Sequence, residues 1–360
     1  MLYIESIGLR RPRRTSDDLR RAIARVRRFW QAAEKRGDNI WVLAPPVLPA
    51  NSVSVIRRIN RRLLGLALSR AMRKLEMKRE ILWTFNPITA EVMELDGWPL
   101  VVYYSVDNIA AQPGMVTDAI IDAEPELIGK ADLVFATTQE IADHLQVIGA
   151  NQVHIFGNVV DYDHFSKTSK STPRDLAEIP YPRLGFVGAI SNYKVDFELL
   201  GKIAAAVPEW QIVLLGKVGI GEPETSLELL ENINNIHIIG AKPYAQLPDY
   251  LHGFDVGLLP CPINDYTKSM YPMKFFEYMA CGLPVVATDI PAVRPWGSLI
   301  RIAHSHEEFI DGIAASLLEV DSQSREKRMA AAQENTYGSR TASMLKLIDE
   351  RLAQKVRNDA

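Results

Sequence analysis

Cysteine is nearly missing from this chain: Cys261 and Cys281 are the only two among 360 residues. Two thiols cannot build the disulfide framework of a small secreted domain, so each is expected as a small buried or half-buried residue in a reducing, cytoplasmic setting. No stretch of ~18 consecutive apolar residues occurs, which excludes a membrane-spanning helix. The opening residues Met1-Leu-Tyr-Ile-Glu5 lack the basic and then apolar pattern of a signal peptide. Histidine is sparse, and His304-x-His306 stands without a cysteine pair, so neither a structural nor a catalytic metal is expected. Glycine is missing where a Rossmann-like domain usually needs it. Gly8 stands alone behind the first apolar run, and an arginine-rich segment follows. The first β–α unit of such a domain is therefore expected to be absent.

What is present is a sizeable core. Apolar residues make up 47% of the chain, and the length suggests two domains. Short β-branched or aromatic runs alternate with helical patterns. In the first half they are Leu2–Glu5, Ile40–Leu43, Ile81–Phe85, Leu100–Ser105, Leu133–Thr137 and Val153–Phe156. In the second half they are Leu184–Gly188, Gln211–Leu215, Asn235–Ile239, Val256–Pro260, Pro284–Thr288 and Leu299–Ile302. Near-continuous apolar strands separated by helices predict parallel sheets covered on both faces. The expected fold class is α/β, with two Rossmann-like doubly wound domains. Ser, Thr, Lys and Pro cluster at Ser166–Tyr181, so the boundary is placed there, giving domains at 1–172 and 173–338. A final helix near 339–357 is expected to cross back onto the first domain.

A net charge of -3 conceals an asymmetry. Residues 1–80 hold 20 Lys and Arg against 7 Asp and Glu, whereas residues 81–360 hold 21 against 37. In Ile56–Leu68, apolar positions 56, 59, 63, 66 and 67 share one helical face, flanked by Arg57, Arg58, Arg61 and Arg62. Such a helix fits an anionic membrane surface. The competing reading is that its apolar face packs on the first sheet. Nucleic acid is not an expected partner, because no aromatic stacking platform interleaves the arginines.

The densest chemistry lies in Tyr271-Pro-Met-Lys-Phe-Phe-Glu-Tyr-Met-Ala-Cys-Gly-Leu-Pro-Val-Val-Ala-Thr288. Pro272 suits the first turn of a helix. Free N–H groups at Met273 and Lys274 would then face an anion such as a diphosphate, and Lys274 adds a mobile charge. Glu277, one turn on, can accept hydrogen bonds from a ribose diol. Gly282-Leu-Pro284 should end the helix. The bland alternative is a Lys274–Glu277 pair that merely stabilises a helix start.

That stretch resembles the donor-site signature of the group 1 (family 4) GT-B glycosyltransferases. It is most similar to the bacterial branch holding teichuronic-acid-type and exopolysaccharide transferases. Further similarities are Ile40–Pro49, Ile81-Leu-Trp-Thr-Phe-Asn-Pro87, Tyr103-Tyr-Ser-Val-Asp-Asn108, Ala131-Asp-Leu-Val-Phe-Ala-Thr137, Gly185-Phe-Val-Gly-Ala189, His237-Ile-Ile-Gly240, Pro243-Tyr-x-x-Leu-Pro248 and Phe254-Asp-Val-Gly-Leu-Leu-Pro260. The resemblance covers about residues 1–320. It implies two domains facing across a cleft, with the nucleotide-sugar donor in the C-terminal one. It also implies a retaining transfer that needs no metal or cofactor, from a UDP- or GDP-linked sugar to a cell-envelope glycan or lipid-linked acceptor.

Residue by residue, Glu277 falls on the family's ribose-binding glutamate, while Lys274 with Tyr271, Pro272 and Met273 falls on its phosphate loop. Gly188 falls on the tight turn that admits the diphosphate, and Lys194 near a basic position that neutralises it. The loop Gly240–Tyr244, including Lys242, falls where the base is gripped. Asp107, after the fourth strand, either orients the acceptor hydroxyl or caps a turn. The chain departs from the pattern at Ser269, where many relatives have a sugar-contacting glutamate, and at Asn158-Val-Val-Asp161, where Asn-Gly-Val-Asp is usual. A catalytically impaired paralogue acting as a non-catalytic, membrane-associated partner is the alternative function. Sugar-nucleotide epimerisation fits the architecture but not the Lys274–Glu277 signature.

Overall fold

The computed structural model describes residues 1–5, 33–45, 54–167 and 171–358. Gly8, the arginine-rich segment after it and the end of the Ile40–Pro49 motif lie outside the described residues. So does the stretch that bears on a missing β–α unit. The chain divides into two compact units. One comprises Met1–Ala136, Ile141–Ile155 and Ile348–Ala360, and the other Thr137–Glu140 and Phe156–Leu347.

In the first unit, β1 (Leu2–Ile4) lies parallel to β3 (Trp41–Leu43), which β2 (Glu34–Lys35) joins antiparallel. A second sheet runs β4-β5-β6-β7, all parallel, through Ile81–Thr84, Leu100–Ser105, Leu133–Ala136 and His154–Ile155. In the other unit, six parallel strands lie in the order β10-β9-β8-β11-β12-β13. In chain order they are β8 (Arg183–Val187), β9 (Gln211–Leu215), β10 (Ile236–Ile238), β11 (Val256–Leu259), β12 (Val285–Thr288) and β13 (Arg301–Ala303). Each apolar run of the sequence is a strand here; among the described residues β2 alone was not expected.

The six-stranded sheet shows why its strands read as unbroken apolar runs. Val187, Val213, Leu215, Leu259, Val285 and Ala287 face one core with Phe275, Phe276 and Met279 of the helix Lys274–Ala280. Their alternating neighbours Leu184, Phe186, Ile212, Leu214, Leu258 and Val286 face a second core. The helices Phe197–Ala206 and His306–Leu317 cover that side. Both faces are buried, so the central positions of the inner strands are apolar, and the polar residues Arg183, Gln211, Thr288 and Arg301 stand at strand ends. Strand order reverses between β8 and β11, and doubly wound sheets bind ligands beyond the carboxyl ends of strands at such a switch point.

The basic helix Ser54–Lys74 corrects the expected face. Asn60, Leu64, Leu68, Ala71 and Met72 are buried, with Leu64, Leu68 and Met72 in the core of the β4–β7 sheet. Ile59 and Leu66, assigned to the apolar face, are exposed, Leu66 by 71%. The cause is spacing: an i, i+4, i+8 series from Asn60 carries the long apolar stripe, and Ile59 and Leu66 lie on its opposite side. Arg57 is also not a free surface charge, because its Nε pairs with Glu91 Oε2 at 3.0 Å.

Both cysteines are buried and free. Burial pushes the Cys261 thiol up to about 12, and the Cys281 thiol higher still than its ordinary value.

At the carboxyl ends of β8 and β9 two backbones nearly touch. Gly188 N–H donates to the Leu215 carbonyl at 3.0 Å, and a Cβ on Gly216 would lie 1.7 Å from the Gly188 carbonyl oxygen. Only glycine fits at 216. Gly240 differs: its φ of +74° suits glycine, yet nothing lies within 4 Å of an added Cβ. Gly216→Ala is therefore expected to cost about 3 kcal/mol through overpacking. Gly240→Ala should cost only about 1 kcal/mol through backbone strain. Denaturant melts of both variants check this, and a Gly216→Ala protein as stable as wild type would contradict the close approach.

Candidate functional site

The signature stretch forms a short, firmly held unit. The helix begins at Lys274, with Met273 at its N-cap and no side chain capping it. Pro272 precedes the helix instead of opening its first turn. Two bonds explain the shift: the Pro272 carbonyl accepts Phe275 N–H at 3.2 Å, and the Asn158 amide donates to the Tyr271 carbonyl at 2.7 Å. The chain is thereby kept out of the helix until Met273.

The far end closes as expected. Gly282, at φ +74°, donates to Met279 at 2.9 Å while Leu283 donates to Tyr278 at 3.0 Å. This is a Schellman closure, which needs glycine in the left-handed region. Tyr278 also fixes the helix against the sheet, its hydroxyl accepting Val187 N–H at 2.8 Å at the end of β8.

Lys274 and Glu277 face each other across one turn. The ammonium lies 2.8 Å from Oε1 and 2.7 Å from Oε2. Glu277 is 7% exposed and Lys274 22%. Burial raises the Glu277 pKa above the usual carboxyl range, against the pull of Lys274 and a smaller one from His164. His164, which the sequence does not mark, and Tyr244, from the loop expected to grip the base, thus stand by the carboxylate. The His164 ring stacks on Tyr244 at 4.6 Å between centroids, and its Nε2 lies 3.0 Å from the Tyr244 carbonyl oxygen. Burial and then Glu277 raise the Tyr244 hydroxyl to about 12. No spacing rule marks His164, because its partners lie about 80 and 113 positions away in sequence.

The other expected residues divide. Lys194 stands between two aromatic rings, its Nζ 5.3 Å from the centre of Tyr193 and 5.2 Å from that of Tyr266. Gly188 follows β8 at the switch point, and its limit is the Gly216 backbone described above. Lys242 is committed elsewhere: its Nζ lies 2.5 Å from Asp175 Oδ2, and Tyr250 OH donates to Oδ1 at 2.8 Å. Burial pushes Asp175 up, but these two bonds win and hold its carboxyl below the usual range. Lys242 therefore braces the Gly240–Tyr244 loop.

The Tyr271 side chain is likewise structural. Its ring stacks on Phe276, its hydroxyl accepts Trp296 Nε1–H at 3.2 Å, and burial raises that hydroxyl to about 12. Ser269 offers its carbonyl to Thr138 Oγ1 at 3.2 Å. Met273 is exposed. Asp107 belongs to the first unit, just past β5; the cap of the following turn, Ile109–Ala111, is Asn108. The arrangement thus unites Lys274, Glu277, His164 and Tyr244 in one cluster within the second unit.

Residues 181–318 match the family described as glycosyl transferases group 1. The chain is 27% identical over 227 residues to TuaH of Bacillus subtilis (strain 168), whose name assigns it to teichuronic acid biosynthesis as a glycosyltransferase. That match takes in 60% of this chain and 57% of TuaH, so the chain spans less than two thirds of this relative.

Among solved structures, Anabaena Alr3699/HepE in complex with UDP superposes with a TM-score of 0.64 at 14% identity, over 97% of this chain and 99% of that one. Sucrose-phosphate synthase from Thermosynechococcus elongatus gives 0.68 at 14% identity, over 98% and 99%. At such identities the likeness concerns the fold, which is that of the GT-B glycosyltransferases.

Asn158 holds the loop ahead of the helix by one amide bond. Asn158→Ala is expected to destabilise the protein by about 1 kcal/mol, and Asn158→Asp, which sets a carboxylate against the Tyr271 carbonyl, by about 2 kcal/mol or more. Thermal melts at neutral pH check the order; Asp equal to wild type would refute it.

Proposed function

We propose that this chain transfers a sugar from a nucleotide-sugar donor to a cell-envelope glycan or lipid-linked acceptor, with retention and without a metal. The observation that carries the reading is the buried Lys274–Glu277 pair inside the stretch that matches the group 1 family, beside a sheet switch point. A cation and a buried carboxylate one turn apart match the two chemically distinct parts of a nucleoside diphosphate. HepE, a protein of the same fold, is known with UDP and with UDP and glucose, which supports a UDP-sugar as donor. TuaH supports an envelope polysaccharide as the product class.

As the anomeric C–O bond breaks, negative charge grows on the departing diphosphate. Preorganised cations stabilise that charge best, because they need no reorganisation during the reaction. Lys274 and Lys194 are the proposed pair, and the Gly188–Gly216 contact keeps side chains away from the approach. Glu277 holds the ribose diol. Asp107 is proposed to orient the acceptor hydroxyl, with the departing phosphate as a second candidate to take its proton.

The Ser54–Lys74 helix is proposed to rest on anionic lipid. It holds seven basic and no acidic residues. Val55, Arg58, Ile59, Arg62, Leu66, Arg70 and Arg73 fall on one outward stripe, all exposed. Apolar side chains among cations suit a headgroup layer. A lipid-linked acceptor would place the substrate at that layer, on the inner face of the cell membrane.

Two measurements test these proposals. Incubating the protein with UDP- and GDP-sugars and envelope lipid extracts, and following nucleotide release with and without a chelator, should show metal-independent transfer with retained anomeric configuration. Lys274→Met and Glu277→Ala should each lower it about a hundredfold. Full activity in both variants would refute the donor site. In co-sedimentation, vesicles containing phosphatidylglycerol should retain the protein and pure phosphatidylcholine should not, and Arg58→Glu with Arg62→Glu should abolish retention. Equal binding to both vesicles would remove the membrane proposal.

A further inference from the structure

We propose that the Lys274–Glu277 pair is a latch opened by a diphosphate, so that the site grips a ribose only when phosphates arrive with it. The inference rests on the donor reading above and adds a coupling between the two halves of the ligand. In the described geometry each residue is occupied by the other. One ammonium spans both carboxylate oxygens, at 2.8 and 2.7 Å. A diol seeking Glu277 must displace a cation from a carboxylate that is 7% exposed. A neutral diol offers that cation nothing in return, and a buried pair broken from one side leaves a charge uncompensated. A diphosphate gives Lys274 a second anion. The ammonium, 22% exposed, can then move to the phosphates while the carboxylate turns to the diol.

The surroundings of Glu277 favour this exchange. The titratable groups facing it are Lys274, Tyr278 and Cys281 on or next to its own helix, His164 on the short helix Tyr162–Phe165, and Tyr244 on the loop after β10. Among these only Lys274 is bonded to the carboxylate. His164 is half-exposed, engaged through Nε2 with the Tyr244 carbonyl, and exerts a smaller pull. When Lys274 leaves, the carboxylate is left short of partners, and the diol hydroxyls supply them. A buried carboxylate without its cation is costly, so a ribose binds far more tightly with a diphosphate attached than without one.

The latch makes two opposite predictions that ordinary contacts do not. If Lys274 only touched phosphate, removing it would weaken the diphosphate and leave the nucleoside unchanged. If it also guards Glu277, removing it must strengthen the nucleoside. Likewise, removing the charge of Glu277 must free Lys274 and strengthen inorganic pyrophosphate.

Isothermal titration of the full chain with UDP, GDP and ADP, with uridine, guanosine and adenosine, and with pyrophosphate reads both. In wild type, one diphosphate should bind about a hundredfold or more tighter than its nucleoside. In Lys274→Met, that nucleoside should bind about tenfold tighter than in wild type, and in Glu277→Gln pyrophosphate should do so by a similar factor. Nucleoside and pyrophosphate affinities that stay level or fall in the variants overturn the latch. Should Lys274→Met fail to fold, the Glu277→Gln arm with pyrophosphate decides alone. Failure of wild type to bind any of the three diphosphates would instead overturn the donor reading on which the latch rests.

Discussion

A carboxylate that has lost nearly all its water must be met by a cation, and at Glu277 that cation is Lys274. Much of the second unit serves to bring these two side chains to the end of the sheet. Asn158 and Thr138 hold the carbonyls of Tyr271 and Ser269, so the chain arrives extended. Gly282 lets it leave sharply after seven helical residues. Tyr278 fastens the helix to β8. The helix is too short to be stable by its own hydrogen bonds. Its order comes from Phe275, Phe276 and Met279, driven into the core beneath. The charged pair is thus fixed by apolar packing on one side of the helix and by side-chain grips on the backbone at its entry.

A doubly wound sheet built this way leaves its candidate site residues at strand ends while the strands stay anonymous. Gly188 and Gly216 follow β8 and β9, the Gly240–Tyr244 loop follows β10, and the approach to the signature helix follows β11. The middle of the sheet is built from apolar side chains such as Val213, Leu214, Leu258 and Val286. That division lets the loops change their ligand without disturbing either core. It also accounts for the low identity, 14–15%, at which HepE still shares the architecture.

The strands were legible because burial on both faces removes every polar residue from a run such as Val256–Leu259, and a short apolar run between turn-forming segments fits little but a buried strand. Glu34–Lys35 escaped because two exposed polar residues pairing antiparallel at a sheet edge leave no apolar trace. In the helix Ser54–Lys74 the sequence suggests a stripe rotated from the true one. Leucine is so frequent between positions 63 and 68 that several faces look apolar, and only the neighbouring sheet selects Leu64 and Leu68. Lys274 and Glu277 were visible as an i, i+3 pair. Their wider setting was not. His164, Asn158 and Asp175 act through partners far along the chain, and a single sequence records such pairings nowhere. In the sequence Asn158 only opens the Asn158-Val-Val-Asp161 stretch, whose departure from the usual pattern is Val159 in place of glycine; its amide on Tyr271 gives it a structural purpose.

The two cysteines, finally, have a practical bearing. Cys261 and Cys281 lie within the core, and burial keeps both thiols protonated at neutral pH. Alkylating probes attack the thiolate, so the native protein offers them almost no reactive background. One cysteine introduced on the surface of either unit would therefore accept a fluorophore or spin label site-selectively, without prior removal of the native pair. The chain is suited as it stands to measuring distances in solution.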